Sequence, residues 1–147
     1  MKLLCGEPRD TEEHIGLETD AAHDEYLKDH QWAVLATGRK DGSPQTSMVA
    51  YVWDGQDLLM TFRQHSAKRH NMARQPRVSV LVPDGRRALT VYGEAVLLEE
   101  DPERVDAYAA ILAGFGVSPA PEDLAAQMDT EGRVAARIRP QRLDLHD

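Results

Sequence analysis

The residues best suited to chemistry run from Thr61 to Asn71: Thr61-Phe62-Arg63-Gln64-His65-Ser66-Ala67-Lys68-Arg69-His70-Asn71. They read as the end of a strand, a short turn and the start of a helix. Ser66 is placed to be the N-cap, its hydroxyl accepting from an open N–H of the first turn. A helix N-terminus carries partial positive charge, so acidic residues normally follow the cap. Here Lys68 and Arg69 follow it and Arg63 precedes it. These cations oppose the helix dipole and repel one another. An anion at the helix end, most simply a phosphate, would join the open N–H groups to the cations. The alternative is that Lys68 and Arg69 point into water.

Charge distribution favours the anion. The chain carries a net charge of −8. From Thr61 to Arg87, however, the cations Arg63, Lys68, Arg69, Arg74, Arg77, Arg86 and Arg87 stand against Asp84 alone. One basic run in an acidic chain suits a single anionic ligand rather than a polyanion. The acidic balance argues against nucleic acid, whose binding rests on broad cationic surfaces.

Other chemistries find less support. Ser47 and His65 are not spaced with an acid as a triad, so no catalytic side chain is assigned. His23, His30, His65 and His70 lack a metal-ligand spacing, and no metal is expected. Trp32, Trp53 and Phe62 could stack on a ring, but aromatics in strands more often belong to the core, and Trp32 is assigned there. Met48, Met60 and Met72 are likewise read as core packing. Tyr92 could donate a proton if it lines a groove; an ordinary strand position is the simpler reading.

These residues must be positioned by a small β-rich domain. The 147 residues suit one domain. Residues 1–20 read as a loose acidic arm without a signal-peptide pattern, and 21–147 as the folded domain. Cys5 is the sole cysteine, so no internal disulfide is expected. No apolar run approaches the ~20 residues of a membrane span. A cytoplasmic protein with no membrane contact is the expectation.

A short helix is expected over Ala21–Asp29. Strands follow at Trp32–Thr37, Gln45–Trp53, Asp57–Phe62, Arg77–Val82, Ala88–Leu98 and Val134–Ile138, the last stopping before Pro140. Asp41-Gly42, Asp54-Gly55 and Asp84-Gly85 are hairpin turns. Helices are expected at Ser66–Gln75, from Pro102 to Gly114 and over Pro121–Met128. Gly93 suggests a bulge or a close backbone approach. Antiparallel strands with flanking helices make the class mainly β with α, a small closed or partly closed barrel.

The run Asp41-Gly42-Ser43-Pro44-Gln45, the strand ending Leu58-Leu59-Met60-Thr61-Phe62, and Ala67-Lys68-Arg69-His70-Asn71 continuing to Val82 resemble the pyridoxamine-phosphate-oxidase-like split β-barrels. The likeness is greatest to the branch that binds the deazaflavin coenzyme F420. It covers about Tyr26 to Leu98, with a looser echo from Val134 to Leu143. The resemblance implies a six-stranded antiparallel split β-barrel working as a homodimer, with the cofactor in a groove at the dimer interface. It places Arg63, Ser66 and Lys68 at the cofactor phosphate. Gln45, Thr46, Ser47 and Met48 would run beside the ring, with Thr61 and Phe62 on its other side; Asn71 would fix the turn. The C-terminal aromatic common in the family is missing from Leu143-Asp144-Leu145-His146-Asp147, which leaves the outer wall of the substrate pocket undefined.

The implied function is an F420H2-dependent reductase passing a hydride to a small organic acceptor. Such chemistry asks the protein mainly to orient the cofactor and exclude water. One alternative is an FMN-binding oxidoreductase of the same fold. Another is a protein that binds a flavin, F420 or a tetrapyrrole without turnover. The acidic tail of F420 would suit further cations such as Arg69, Arg74, Arg86 or Arg87; FMN needs only the phosphate site.

Overall fold

The computed structural model describes residues 19–146; most of the acidic arm and Cys5 lie outside the described residues. The elements in chain order are α1 (Ala21–Lys28), β1 (Trp32–Gly38), β2 (Pro44–Trp53), β3 (Leu58–Arg63), α2 (Ala67–Arg74), β4 (Arg77–Asp84), β5 (Arg87–Leu98), α3 (Glu103–Gly114), α4 (Pro121–Glu131) and β6 (Arg133–His146). The strands close into an antiparallel barrel in the order β1-β2-β3-β6-β5-β4. All three Asp-Gly turns fall between paired strands, each with glycine at positive φ.

Alternation in the strands fills the barrel. Leu35, Val49, Tyr51, Leu58, Met60, Val80, Leu89, Val91, Ile138 and Leu143 are among the buried core, each such side chain contributing roughly 1.5–3 kcal/mol on leaving water. α1 closes one end. Asp20 caps it by accepting from the His23 N–H at 2.9 Å. Tyr26 donates its hydroxyl to the Val82 carbonyl at 2.8 Å, and Tyr51 reaches the Leu27 carbonyl at 2.8 Å. α2 sits at the other end, with Asn71 and Met72 buried beneath it.

Two expectations are corrected here. β6 does not stop before Pro140 but runs 14 residues to His146. It can do so because its register against β5 shifts between Tyr92 and Gly93: Gly93 faces Pro140 and Tyr92 faces Arg142. A residue without an N–H is tolerated at such a break in the ladder. Gly93 is needed there, since a Cβ on it would meet the Arg139 carbonyl. The second correction concerns Trp32 and Met48. Both were assigned to the core; they are 52% and 63% exposed. Trp32 and Met48 alternate with the buried Ala33 and Val49 and so face outward. Met60 and Met72 are buried as expected.

Candidate functional site

The outward faces of β1, β2 and β3 are where the chemistry-bearing residues gather. α3, placed between β5 and β6 in the chain, packs back over β2, β3 and β6. A cavity of about 510 Å³ lies between this helix and the barrel wall. Trp32 faces it from β1, Met48 and Ala50 from β2, and Thr61 and Arg63 from β3, while Val49 and Phe62, buried in the barrel core, also border it. Tyr108, Ile111, Leu112 and Phe115 form the opposite wall. Ser66, Lys68 and Arg133 complete the lining with polar and cationic groups.

Local contacts fix this slot. Trp32 and Phe115 meet edge to face, their centroids 5.9 Å apart. Gln31 Nε2 donates to the Gly114 carbonyl, tying the approach to β1 to the end of α3. At the far end of α3, the buried Arg104 donates to Asp101 Oδ1 at 2.9 Å, Asp129 Oδ1 at 2.8 Å and the Arg133 carbonyl at 3.1 Å. That one guanidinium joins α3 to α4 and β6, and so sets how closely the helix lies on the sheet.

The cationic corner takes the form read from the sequence. Ser66 is the N-cap of α2, its hydroxyl accepting from the Arg69 N–H at 3.4 Å. No acid occupies the first turn. The N–H groups of the first turn have no partner within a helix, and Lys68 lies half-buried among them. Among the described residues Lys68 forms no hydrogen bond or ion pair. Arg69 differs: its Nη2 and Nε hold the Glu99 carboxylate at 2.8 and 3.2 Å. Arg74 donates to the Gly38 carbonyl at 2.9 Å and to Asn71 Oδ1 at 3.1 Å. Arg87 stacks over Tyr26 at the α1 end of the barrel.

Six of the nine candidate cofactor residues therefore line one cavity: Met48, Thr61, Phe62, Arg63, Ser66 and Lys68. Gln45, Thr46 and Ser47 do not. Gln45 Oε1 accepts from Asn71 Nδ2 at 2.8 Å, and the same amide nitrogen donates to Thr37 Oγ1 at 3.0 Å. Asn71, expected to fix the turn, instead ties α2 to β1 and β2 through its side chain. Thr46 and Ser47 continue β2 beyond the cavity edge. The sequence reading missed Trp32, Phe115, Arg133 and the α3 stripe as site residues. Phe115 left a trace: a lone aromatic between Gly114 and Gly116, just where the helix ends.

Among the described residues no three of His, Cys, Asp or Glu cluster to hold a metal ion, and no helix is long and apolar enough to cross a membrane.

Comparison with known proteins meets this geometry from another side. The sequence profile of a family described as pyridoxamine 5'-phosphate oxidase matches residues 19–147. Among solved structures, a conserved hypothetical protein from Mycobacterium tuberculosis is 25% identical, with 89% of this chain and 86% of that chain covered and a TM-score of 0.76. A protein described as an F420 reductase is also 25% identical, with 86% and 98% covered and a TM-score of 0.68. A heme storage protein from Vibrio cholerae is 21% identical, with 82% and 89% covered and a TM-score of 0.63; that likeness speaks for the fold alone.

Proposed function

Since the chain belongs to the pyridoxamine 5'-phosphate oxidase family, we propose that its main cavity binds a phosphate-bearing flavin-type cofactor, coenzyme F420 first, and that the protein is an oxidoreductase acting on an organic acceptor. When bound, the deazaflavin supplies a hydride from its reduced ring. The observation that carries this reading is the pairing of one apolar slot with cations, Lys68 and Arg63, whose side chains have no hydrogen-bond or ion-pair partner among the described residues. Aromatic and aliphatic side chains form both walls of the cavity, and Lys68 with Ser66 stands at its polar side, at the N-terminus of α2.

The residues present fit such a group. Trp32, Met48 and Phe115 offer flat or polarisable surface to a ring, and Tyr108, Ile111 and Leu112 shield the opposite side from water. Lys68, Ser66 and the first-turn N–H groups of α2 supply donors to a phosphate. Arg63 adds charge at the same corner. Gln45, Thr46 and Ser47 are assigned the part of the ligand that projects beyond Met48. In this reading the chain orients the cofactor and excludes water; proton delivery to the acceptor comes from solvent.

A homodimer belongs to the same proposal. Trp32, Met48 and Tyr92 are exposed on the outer surface of the barrel, with the half-buried Val34 and Leu81 paired between them. A second copy docked on this apolar face would cover the open side of the cavity.

FMN is the second reading, and one observation favours it. Arg69 and Arg74, two of the cations offered to an acidic cofactor tail, already have partners within the chain. The experiment is a side-by-side titration with F420 and FMN, followed by oxidation of reduced F420 in the presence of candidate acceptors. Tight F420 binding and protein-dependent oxidation support the first reading. Preference for FMN supports the second, and binding without turnover points to a carrier.

A further inference from the structure

The β3–β6 register sets Arg63 directly opposite Arg133. Opposed positions in an antiparallel pair hold their Cβ atoms roughly 4.5–5.5 Å apart on one face of the sheet, and like charges there destabilise it. Both arginines line the main cavity. Glu131 offsets part of this repulsion, since its carboxyl feels the charge of both arginines, and the three together leave net positive charge at the cavity wall.

Arg133 is held ready for an anion. Its Nε donates to Glu131 Oε1 at 2.9 Å, and its guanidinium lies 5.4 Å from the centroid of the Tyr108 ring. The bond occupies Nε and the ring covers one face of the plane. The two terminal nitrogens have no protein partner among the described residues. Glu131 is not among the residues lining the cavity, and its hydrogen bond to Arg133 is made to Nε alone. The hydrogen bond from Arg133 first, then that from Gln127, holds the Glu131 carboxyl below its usual range.

The geometry points to a carboxylate subsite at Arg133, with Arg63 shared between it and the phosphate corner of Ser66 and Lys68, and with Tyr108 and Glu131 as positioning residues. It rests on the cofactor reading above and extends it to the second anionic group the cavity takes. A planar guanidinium with free terminal N–H groups matches a carboxylate in two-point fashion, which an ammonium cannot do. That carboxylate has two possible sources: the glutamyl tail of F420, or an acid group on the acceptor.

Titrations of wild type, Arg133→Gln and Arg133→Lys distinguish them. F420 bearing several glutamates and FMN are each titrated at low and high salt. Cinnamate and its neutral amide are then titrated into cofactor-loaded protein. If the tail occupies the subsite, R133Q weakens F420 about tenfold with a flatter salt dependence, and FMN changes far less; R133K restores part of the loss. If the acceptor occupies it, the F420-to-FMN ratio stays fixed, while cinnamate loses about tenfold and its amide does not. Either result upholds the subsite and names its occupant. If wild type binds a cofactor and neither ratio moves in R133Q, the subsite is refuted and the cofactor reading stands. If wild type binds neither F420 nor FMN, the cofactor reading fails and the subsite falls with it.

Discussion

Arg69 grips Glu99 through two nitrogens, Nη2 at 2.8 Å from Oε1 and Nε at 3.2 Å from Oε2. Two adjacent cations of one helix turn are thereby given different tasks. Arg69 fastens α2 to the end of β5, and Lys68, without a hydrogen-bond or ion-pair partner among the described residues, is the one proposed to meet a ligand. Substitution should separate them. Lys68→Ala is expected to weaken phosphate-bearing cofactors about tenfold with an unchanged melting temperature, as loss of a charge-assisted hydrogen bond implies. Arg69→Ala should instead cost up to about 1 kcal/mol of stability, the range for a partly exposed pair of good geometry, with cofactor affinity within a factor of about three. Calorimetric melting and fluorescence titration on both variants check this. Equal losses of affinity would remove the distinction.

Gly93 offers a test of the barrel closure. A methyl group there would meet the Arg139 carbonyl, a backbone atom that cannot swing away. Gly93→Ala should therefore destabilise by about 2 kcal/mol or more, as overpacking against a rigid neighbour does. Gly38→Ala is the control. The nearest atom to its added Cβ is Gln75 Cγ at 3.9 Å, and its stability should stay within about 0.5 kcal/mol of wild type. Urea midpoints of the two variants decide the matter.

Asp54 governs part of the acid limb of stability. Burial works against its ionisation, but the Asp57 and Gln56 N–H groups and the Arg137 guanidinium outweigh it and hold the carboxyl below its ordinary 3.8. The bonds are 2.7, 2.8 and 2.9 Å. A carboxyl depressed in the folded state contributes stability that is complete above its unfolded value. That contribution is lost as pH falls through the folded one. Asp54→Asn should thus be less stable than wild type at neutral pH, and the gap should narrow below about pH 4. Denaturant midpoints across that range test the sign; a gap independent of pH would exclude this linkage.

How much could be read in advance follows from the range of each interaction. Ser66 and Lys68 were legible because a cap and the charges of its first turn are set within three or four residues of one another. The Asp-Gly turns and the bulge at Gly93 were legible for the same reason. Trp32 was not. The run from Trp32 to Ala36 is apolar on both faces and reads as a buried strand, and which face meets the core depends on how the barrel closes. β6 was cut short because Pro140 reads locally as a stop, whereas the 12-residue β5 supplies a partner on both sides of the break. Arg133 and the α3 wall line the candidate cavity only because α3 folds back across β3 and β6 pairs with it, contacts between segments some forty to eighty positions apart in the sequence.

Trp32 gives the most direct optical test of where a cofactor ring goes. The chain has two tryptophans, and their surroundings differ sharply. Trp53 is buried, its Nε1 donating to Asp24 Oδ1 at 2.8 Å, beside α1 and away from the cavity. Trp32 is 52% exposed and lines the cavity with Phe115 against it. A flavin or deazaflavin ring in the slot would lie close enough to Trp32 to stack on it or take up its excitation. Binding of either cofactor should therefore quench much of the tryptophan emission in wild type and in Trp53→Phe, the latter after allowance for some loss of stability. Trp32→Phe should abolish the contact quenching and weaken the ring by a few-fold, since aromatic contacts of this kind contribute roughly 0.5–1.5 kcal/mol. Time-resolved emission separates contact quenching from longer-range energy transfer. If Trp32→Phe binds as tightly as wild type and the residual Trp53 signal carries all the short-lifetime quenching, the ring lies elsewhere than against β1 and α3.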